Sequence, residues 1–172
     1  GLLLMCAAGC AWVPVEVESD VGERGPNLKT WAWLQRPPVA RGEAEFGAVE
    51  ARVRPAVERE LGARRLRKVD RERPDFLITY YAAIEKPIDA KAITYAAGVP
   101  LMTKAVTSYE RGSFLVDVLD ARTGKLLWRG VGRRVFDPKQ TPEQRNERID
   151  AAVASVIDEF APLCNRTPHA TA

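Results

Sequence analysis

Two β-patterned segments, Ser113 to Asp120 and Lys125 to Phe136, flank the short loop Ala121-Arg122-Thr123-Gly124, and a helix signal follows within a few residues. This arrangement limits the fold more than any other part of the chain. A glycine near the end of a short loop suits a hairpin, so the two segments are expected to be antiparallel neighbours. Asp137-Pro138 stops the second segment. Thr141-Pro142-Glu143-Gln144 then supplies an N-cap, a proline at the first helical position and a glutamine at the third, the pattern of a capping box. Ile149, Val153, Val156, Ile157 and Phe160 share one face of this helix, and Arg145, Glu147, Arg148, Asp158 and Glu159 take the other. Pro162 is expected to end it.

The rest of the chain repeats the two periodicities. Val13, Val15 and Val17 alternate with Pro14, Glu16 and Glu18, which predicts a half-buried strand. Gly22, Gly25 and Pro26 break the chain before Leu28 to Leu34 reads as a second strand. Val49, Val53, Val57 and Leu61 fall on one helical stripe with Pro55 inside it, so this helix should kink or start in earnest near Arg52. Pro74 to Ala82 is rich in β-branched and aromatic residues, and Lys86 to Tyr109 suggests two more strands around Ala97-Gly98-Val99-Pro100. The resulting class is α+β, an antiparallel or mixed β-sheet with two α-helices packed on one face.

At 172 residues, 46% apolar and 28% charged, the chain suits a single folded domain and excludes wholesale disorder. No stretch reaches the ~20 apolar residues of a bilayer-spanning helix. One histidine and three cysteines, two of them within the first ten residues, make no ordinary structural zinc site, so no metal or cofactor is expected.

Gly1 to Cys10 is apolar and closes on Ala7, Ala8, Gly9 and Cys10, as a secretory signal does, with the charged n-region expected ahead of Gly1. The four residues resemble the bacterial lipobox, although Ala7 stands where leucine is usual. In such a protein Cys10 is acylated and becomes the new N-terminus, and Ala11 in place of aspartate points to the outer membrane. Residues 1–9 are then a partial signal peptide, 10–162 a single domain and 163–172 a flexible tail carrying a solitary Cys164. The alternative is that Leu2 to Ala11 begins a buried element, with Cys6 and Cys10 as apolar cysteines.

Five further stretches stand in a distinctive order: Lys29-Thr30-Trp31-Ala32-Trp33-Leu34, Val53 to Leu61, Pro74 to Tyr80, Asp120 to Gly130, and Thr141-Pro142-Glu143 leading into Ile149-Asp150-Ala151-Ala152-Val153. In that order the sequence resembles the DUF4136 group of bacterial lipoproteins, a domain of unknown function. The resemblance implies an exported, lipid-anchored α+β domain and carries no catalytic residues with it. Between Pro87 and Thr107, where relatives often have a Gly- and Tyr-rich insert, this chain has Ile88, Ile93, Val99, Leu101, Met102 and Val106.

Catalytic patterns are sparse. Gly124-Lys125 lacks the other elements of a phosphate loop, with Leu119 and Leu126 where glycine and a hydroxyl residue belong. Gly130-Val131-Gly132 opens no helix and suggests a strand bulge rather than a dinucleotide fingerprint. The sole histidine, His169, lies in the tail, and Asp117 and Asp120 read as edge and turn residues rather than a carboxylate pair. Enzyme activity is therefore not expected.

Two stretches suggest contact rather than chemistry. Arg64, Arg65, Arg67, Lys68, Arg71 and Arg73 stand against Asp70 and Glu72, a local balance of +4 that exceeds the chain's net +3. They suit either a solvated helix end or an anionic surface such as lipid head groups or an acidic partner. Trp31 and Trp33 share a strand face and form an aromatic interaction surface if helices cover the other side. The expected role is that of a non-enzymatic outer-membrane lipoprotein facing the periplasm. It is held by its lipid anchor, binds another envelope protein or lipid, and takes no nucleic acid. The alternative is a carrier for a lipid or small apolar ligand, suggested by the apolar stretch from Ile88 to Val106.

Overall fold

A computed structural model describes residues 15–19, 27–34, 43–70, 73–83, 88–89, 108–109, 112–133, 135 and 139–164. The elements are β1 (Val15–Ser19), β2 (Thr30–Trp33), α1 (Glu43–Ala63), β3 (Arg67–Lys68), β4 (Phe76–Ala83), β5 (Ile88–Asp89), β6 (Ser108–Tyr109), β7 (Ser113–Asp120), β8 (Leu126–Gly132) and α2 (Pro142–Cys164). Six strands form one mixed sheet in the order β1-β8-β7-β4-β2-β3, and β5 and β6 pair separately. β2 is parallel to β4 and β3, whereas β4, β7, β8 and β1 are successively antiparallel. The parallel step from β2 to β4 is bridged by α1, as parallel pairing requires. The expected turn at Ala97–Pro100 lies outside the described residues.

The hairpin and the capping box form as local chemistry dictates. Gly124 takes φ 69° and donates its N–H to Asp120 O at 2.8 Å. At the start of α2, Thr141 N–H donates to Gln144 Oε1 at 3.1 Å while Gln144 N–H donates to Thr141 Oγ1 at 3.3 Å. Both helices lie on one face of the sheet. Val53, Val57 and Leu61 of α1, and Val153, Val156 and Phe160 of α2, share a core with Phe76, Ile78, Phe114, Val116 and Trp128. Each such fully buried side chain contributes about 1.5–3 kcal/mol relative to exposure. Arg52 and Arg59 reach Asp150, and Arg64 reaches Asp158, so ion pairs join the helices in the same order along each, as parallel neighbours.

Several expectations need correction. α1 is continuous from Glu43, nine residues ahead of Arg52, because Pro55 lies on its exposed side, as does Ala51, whose carbonyl loses its partner to the proline and can turn to water. Pro162 likewise sits exposed within the last turns of α2, which runs on to Cys164. Cys164 is therefore no tail residue: it is 2% exposed, and burial pushes its thiol up to about 12. An intermolecular disulfide there would require α2 to open.

Gly130 and Gly132 make no bulge, since both keep regular pairing with β7 and β1. They are small because neighbours fill the space beside them. A Cβ on Gly130 would lie 2.2 Å from the Trp128 indole and 2.7 Å from Val156 Cγ1. The register shift falls instead between Val118 and Leu119.

Candidate functional site

The basic stretch is divided by the fold. Arg64 is a structural clamp: its Nη1 donates to Glu60 O at 2.7 Å and Glu60 Oε2 at 2.9 Å, and its Nη2 pairs with Asp158. Burial alone would lower its pKa, but Asp158 and Glu60 together raise it. Arg65 closes α1 in the left-handed region at φ 63°, with Arg65 N–H on Gly62 O and Leu66 N–H on Leu61 O, the paired bonds of a Schellman ending. Lys68 Nζ donates to Glu58 Oε1 at 2.9 Å. Arg67 and Arg73 are exposed, and Arg71 lies outside the described residues.

Tertiary structure adds three cations that the run in the sequence does not contain. Parallel pairing sets Arg67 beside Thr30, and Arg67 N–H donates to Lys29 O at 2.8 Å. Asp75 then joins three chain segments. Its Oδ2 accepts from Lys29 N–H at 2.9 Å, Thr30 N–H at 2.8 Å and Thr30 Oγ1 at 2.9 Å, while its carbonyl accepts from Ala121 N–H at 3.2 Å. The β7–β8 turn, bearing Arg122 and Lys125, is thereby fixed against the start of β2 and β4. Lys29, Arg65, Arg67, Arg73, Arg122 and Lys125 are all exposed at this one end of the sheet.

The carboxylates here face inward to backbone donors. Burial works to raise the Asp75 carboxyl, but the N–H groups of Lys29 and Thr30 and the Thr30 hydroxyl outweigh it and hold it below the ordinary range. Asp120 behaves alike: Thr123 N–H at 2.6 Å, Thr123 Oγ1 and Arg122 N–H hold its carboxyl low against the opposing effect of burial. The turn role read for Asp120 is thus what the structure shows.

The aromatic pair lies on the side that the helices cover, and the expected exposed surface is corrected accordingly. Trp31 is 1% exposed, and Trp33 is edge-on to both Trp31 and Tyr80. Trp33 Nε1 donates to Glu58 Oε1 at 2.8 Å, and the Arg54 guanidinium sits 4.7 Å from its ring centroid. Burial tends to raise Glu58, but its bonds from Trp33 and Lys68 lower it. Burial also pushes the Tyr80 hydroxyl upward, with Glu50 adding to the effect.

On the opposite face the structure reveals a pair that sequence reasoning misplaced. Asp117 is no edge residue. It is 0% exposed, and Arg129, 3% exposed, meets it with Nε on Oδ1 and Nη2 on Oδ2, both at 2.5 Å. The register sets Thr79, Asp117, Arg129 and Glu18 in one row across four strands. Leu115, Leu119 and Val131 are buried around it. The sequence signal available was the opposite charge of Asp117 and Arg129 at equivalent hairpin positions.

Among the described residues, no group of three or more His, Cys, Asp or Glu could hold a metal ion. Cys10 and His169 lie outside the described residues.

Comparisons with known proteins bear on the family. No curated protein matches. A PDZ domain protein from Parabacteroides distasonis ATCC 8503 is similar at 15% identity and TM-score 0.49, over 86% of this chain and 35% of that one, so the chain spans about a third of that protein's length. The PelC dodecamer from Paraburkholderia phytofirmans is similar at 12% identity and TM-score 0.43, over 90% of this chain and 99% of that one. Residues 15–162 match the family described as Domain of unknown function (DUF4136), which takes in every strand of the main sheet and all but the last two residues of α2, and the chain therefore belongs to that family.

Proposed function

We propose that this protein is a lipid-anchored outer-membrane protein that faces the periplasm and acts by binding another envelope component rather than by catalysis. The observation that supports this is the spacing between Cys10 and Val15: four residues separate the lipobox-like cysteine from β1, an edge strand of the main sheet, so that Val15 is the fifth residue after the cysteine. Such a segment reaches at most about 17 Å. Acyl chains on Cys10 would hold a folded domain close to the bilayer, and two or more chains suffice for stable anchoring. Replacing Cys10 with alanine is expected to move the protein into the soluble periplasmic fraction. Continued membrane residence of that variant would refute the anchor.

The carrier alternative has less support. Between the sheet and the helices, Trp128 folds over Gly130 against Val156, and Phe160 packs edge-on to Phe76 and tilted against Trp128. A ligand held there would have to displace these rings. Native mass spectrometry of the unlipidated protein separates the two readings: a lipid-sized adduct favours the carrier, a clean apo mass the binding module.

A further inference from the structure

The strand registers give the domain two distinct ends. At one end, Val15 of β1 lies beside Gly132, Gly132 beside Phe114, and Phe114 beside Ala82. At the other, Phe76 lies beside Asp120 and Trp31, and Trp31 beside Lys68. Phe76 and Ala82 are six residues apart on β4, about 20 Å at about 3.3 Å per residue. The chain therefore enters the sheet at one end, while its exposed cations gather at the other.

We infer that this basic end is the docking surface, directed away from the membrane that anchors the protein, and that it takes an acidic stretch of a partner protein rather than lipid head groups. The inference rests on the anchored reading above. The potential of an anionic leaflet decays within a Debye length, about 8 Å at physiological salt. The basic end lies beyond that distance from the end where the tether joins. The neighbouring carboxylates have other hydrogen-bond partners: Asp75 and Asp120, still charged and attracting Lys29 and Arg122, accept backbone N–H groups, Glu58 holds Lys68, and Glu60 and Asp158 hold Arg64. Asp70 and Glu159 are the exposed acids left at this end among the described residues. Cations on three segments joined at Asp75, Lys29 on one, Arg73 on the next and Arg122 and Lys125 on the third, suit a run of carboxylates through their charge.

Two measurements test this. Fluorescence anisotropy of a labelled oligoglutamate is read with the unlipidated full-length protein, which does not depend on the anchor. Binding should weaken with salt and fall about tenfold or more in the combined Arg73→Glu, Arg122→Glu and Lys125→Glu variant. It should persist when Arg73→Lys and Arg122→Lys keep the charge. Absence of binding, indifference to charge reversal, or loss in the lysine variant would each overturn the docking surface.

The second measurement places the acylated protein on vesicles of equimolar phosphatidylethanolamine and phosphatidylglycerol carrying a nitroxide head-group lipid. Fluorophores are attached at Arg122→Cys or at Glu143→Cys, the latter in the first turn of α2 on the tethered side. Quenching at 143 with little at 122 is expected. Equal or stronger quenching at 122 would place the basic end on the membrane and overturn the orientation, whereas release of the Cys10→Ala variant tests only the anchor.

Discussion

Replacing Asp117 with asparagine removes one charge from a pair closed off from water and takes the carboxylate's countercharge from the buried Arg129 guanidinium. The pair is bidentate, with both contacts at 2.5 Å and both residues at or below 3% exposure. Breaking such a pair from one side costs about 3–5 kcal/mol, whereas replacing both partners by apolar residues of similar volume is often neutral. Asp117→Asn is therefore expected to be strongly destabilised, and the combined Asp117→Leu and Arg129→Met variant to recover most of the loss. With a urea m-value of about 2 kcal/mol/M, the single variant's midpoint should fall by about 1.5–2.5 M. Both side chains make further contacts, so the coupling is best read from a full double-mutant cycle with circular dichroism as the probe. A single variant that loses less than about 1 kcal/mol, well under the range for a broken buried pair, would refute the reasoning. A double variant no better than the sum of its parts would do the same.

Three further outcomes follow from the packing and titration. Gly130→Ala should lower stability by about 1–3 kcal/mol, since its new methyl meets Trp128 and Val156 inside contact distance. Gly132→Ala, whose Cβ finds Val135 Cγ2 at 3.3 Å, should cost less, and thermal melts of the two variants rank them. Because the folded Asp75 carboxyl is held below its ordinary value near 3.8, the stability it contributes is complete above that value and is lost as pH falls through the folded one. Asp75→Asn should therefore flatten the acid limb of a stability profile below about pH 4, and an unchanged limb would contradict the hydrogen bonds assigned to it. Cys164 should resist a disulfide-exchange reagent in the native protein and react at once in denaturant, whereas fast native labelling would show that the end of α2 is open.

Much of the local structure was legible because its causes lie a few residues apart. Thr141 and Gln144 satisfy each other's backbone donors within one turn, and Asp120 to Gly124 closes a hairpin with its own side chains. The α1 start was misread because a proline's effect depends on which side of the helix meets water, and that is decided by what packs against it. Gly130 was misread for a similar reason: its smallness answers to Val156 on another element.

The sequence alone determined the types of the longer elements, the hairpin, the capped helix and the α+β class, since each follows from periodicity or from bonds between near neighbours, whereas the two-residue β3 exists only through its pairing with β2. It also showed that Trp31 and Trp33 share a face, but alternation cannot say which face the helices will cover. Only tertiary structure buried Asp117 against Arg129 and brought Lys29, Arg122 and Lys125 to Arg67 and Arg73. The physical reason is that strand order, parallel or antiparallel pairing and burial are set by contacts between distant segments. The end of the domain at which a charge finally stands is therefore a property of the assembled sheet.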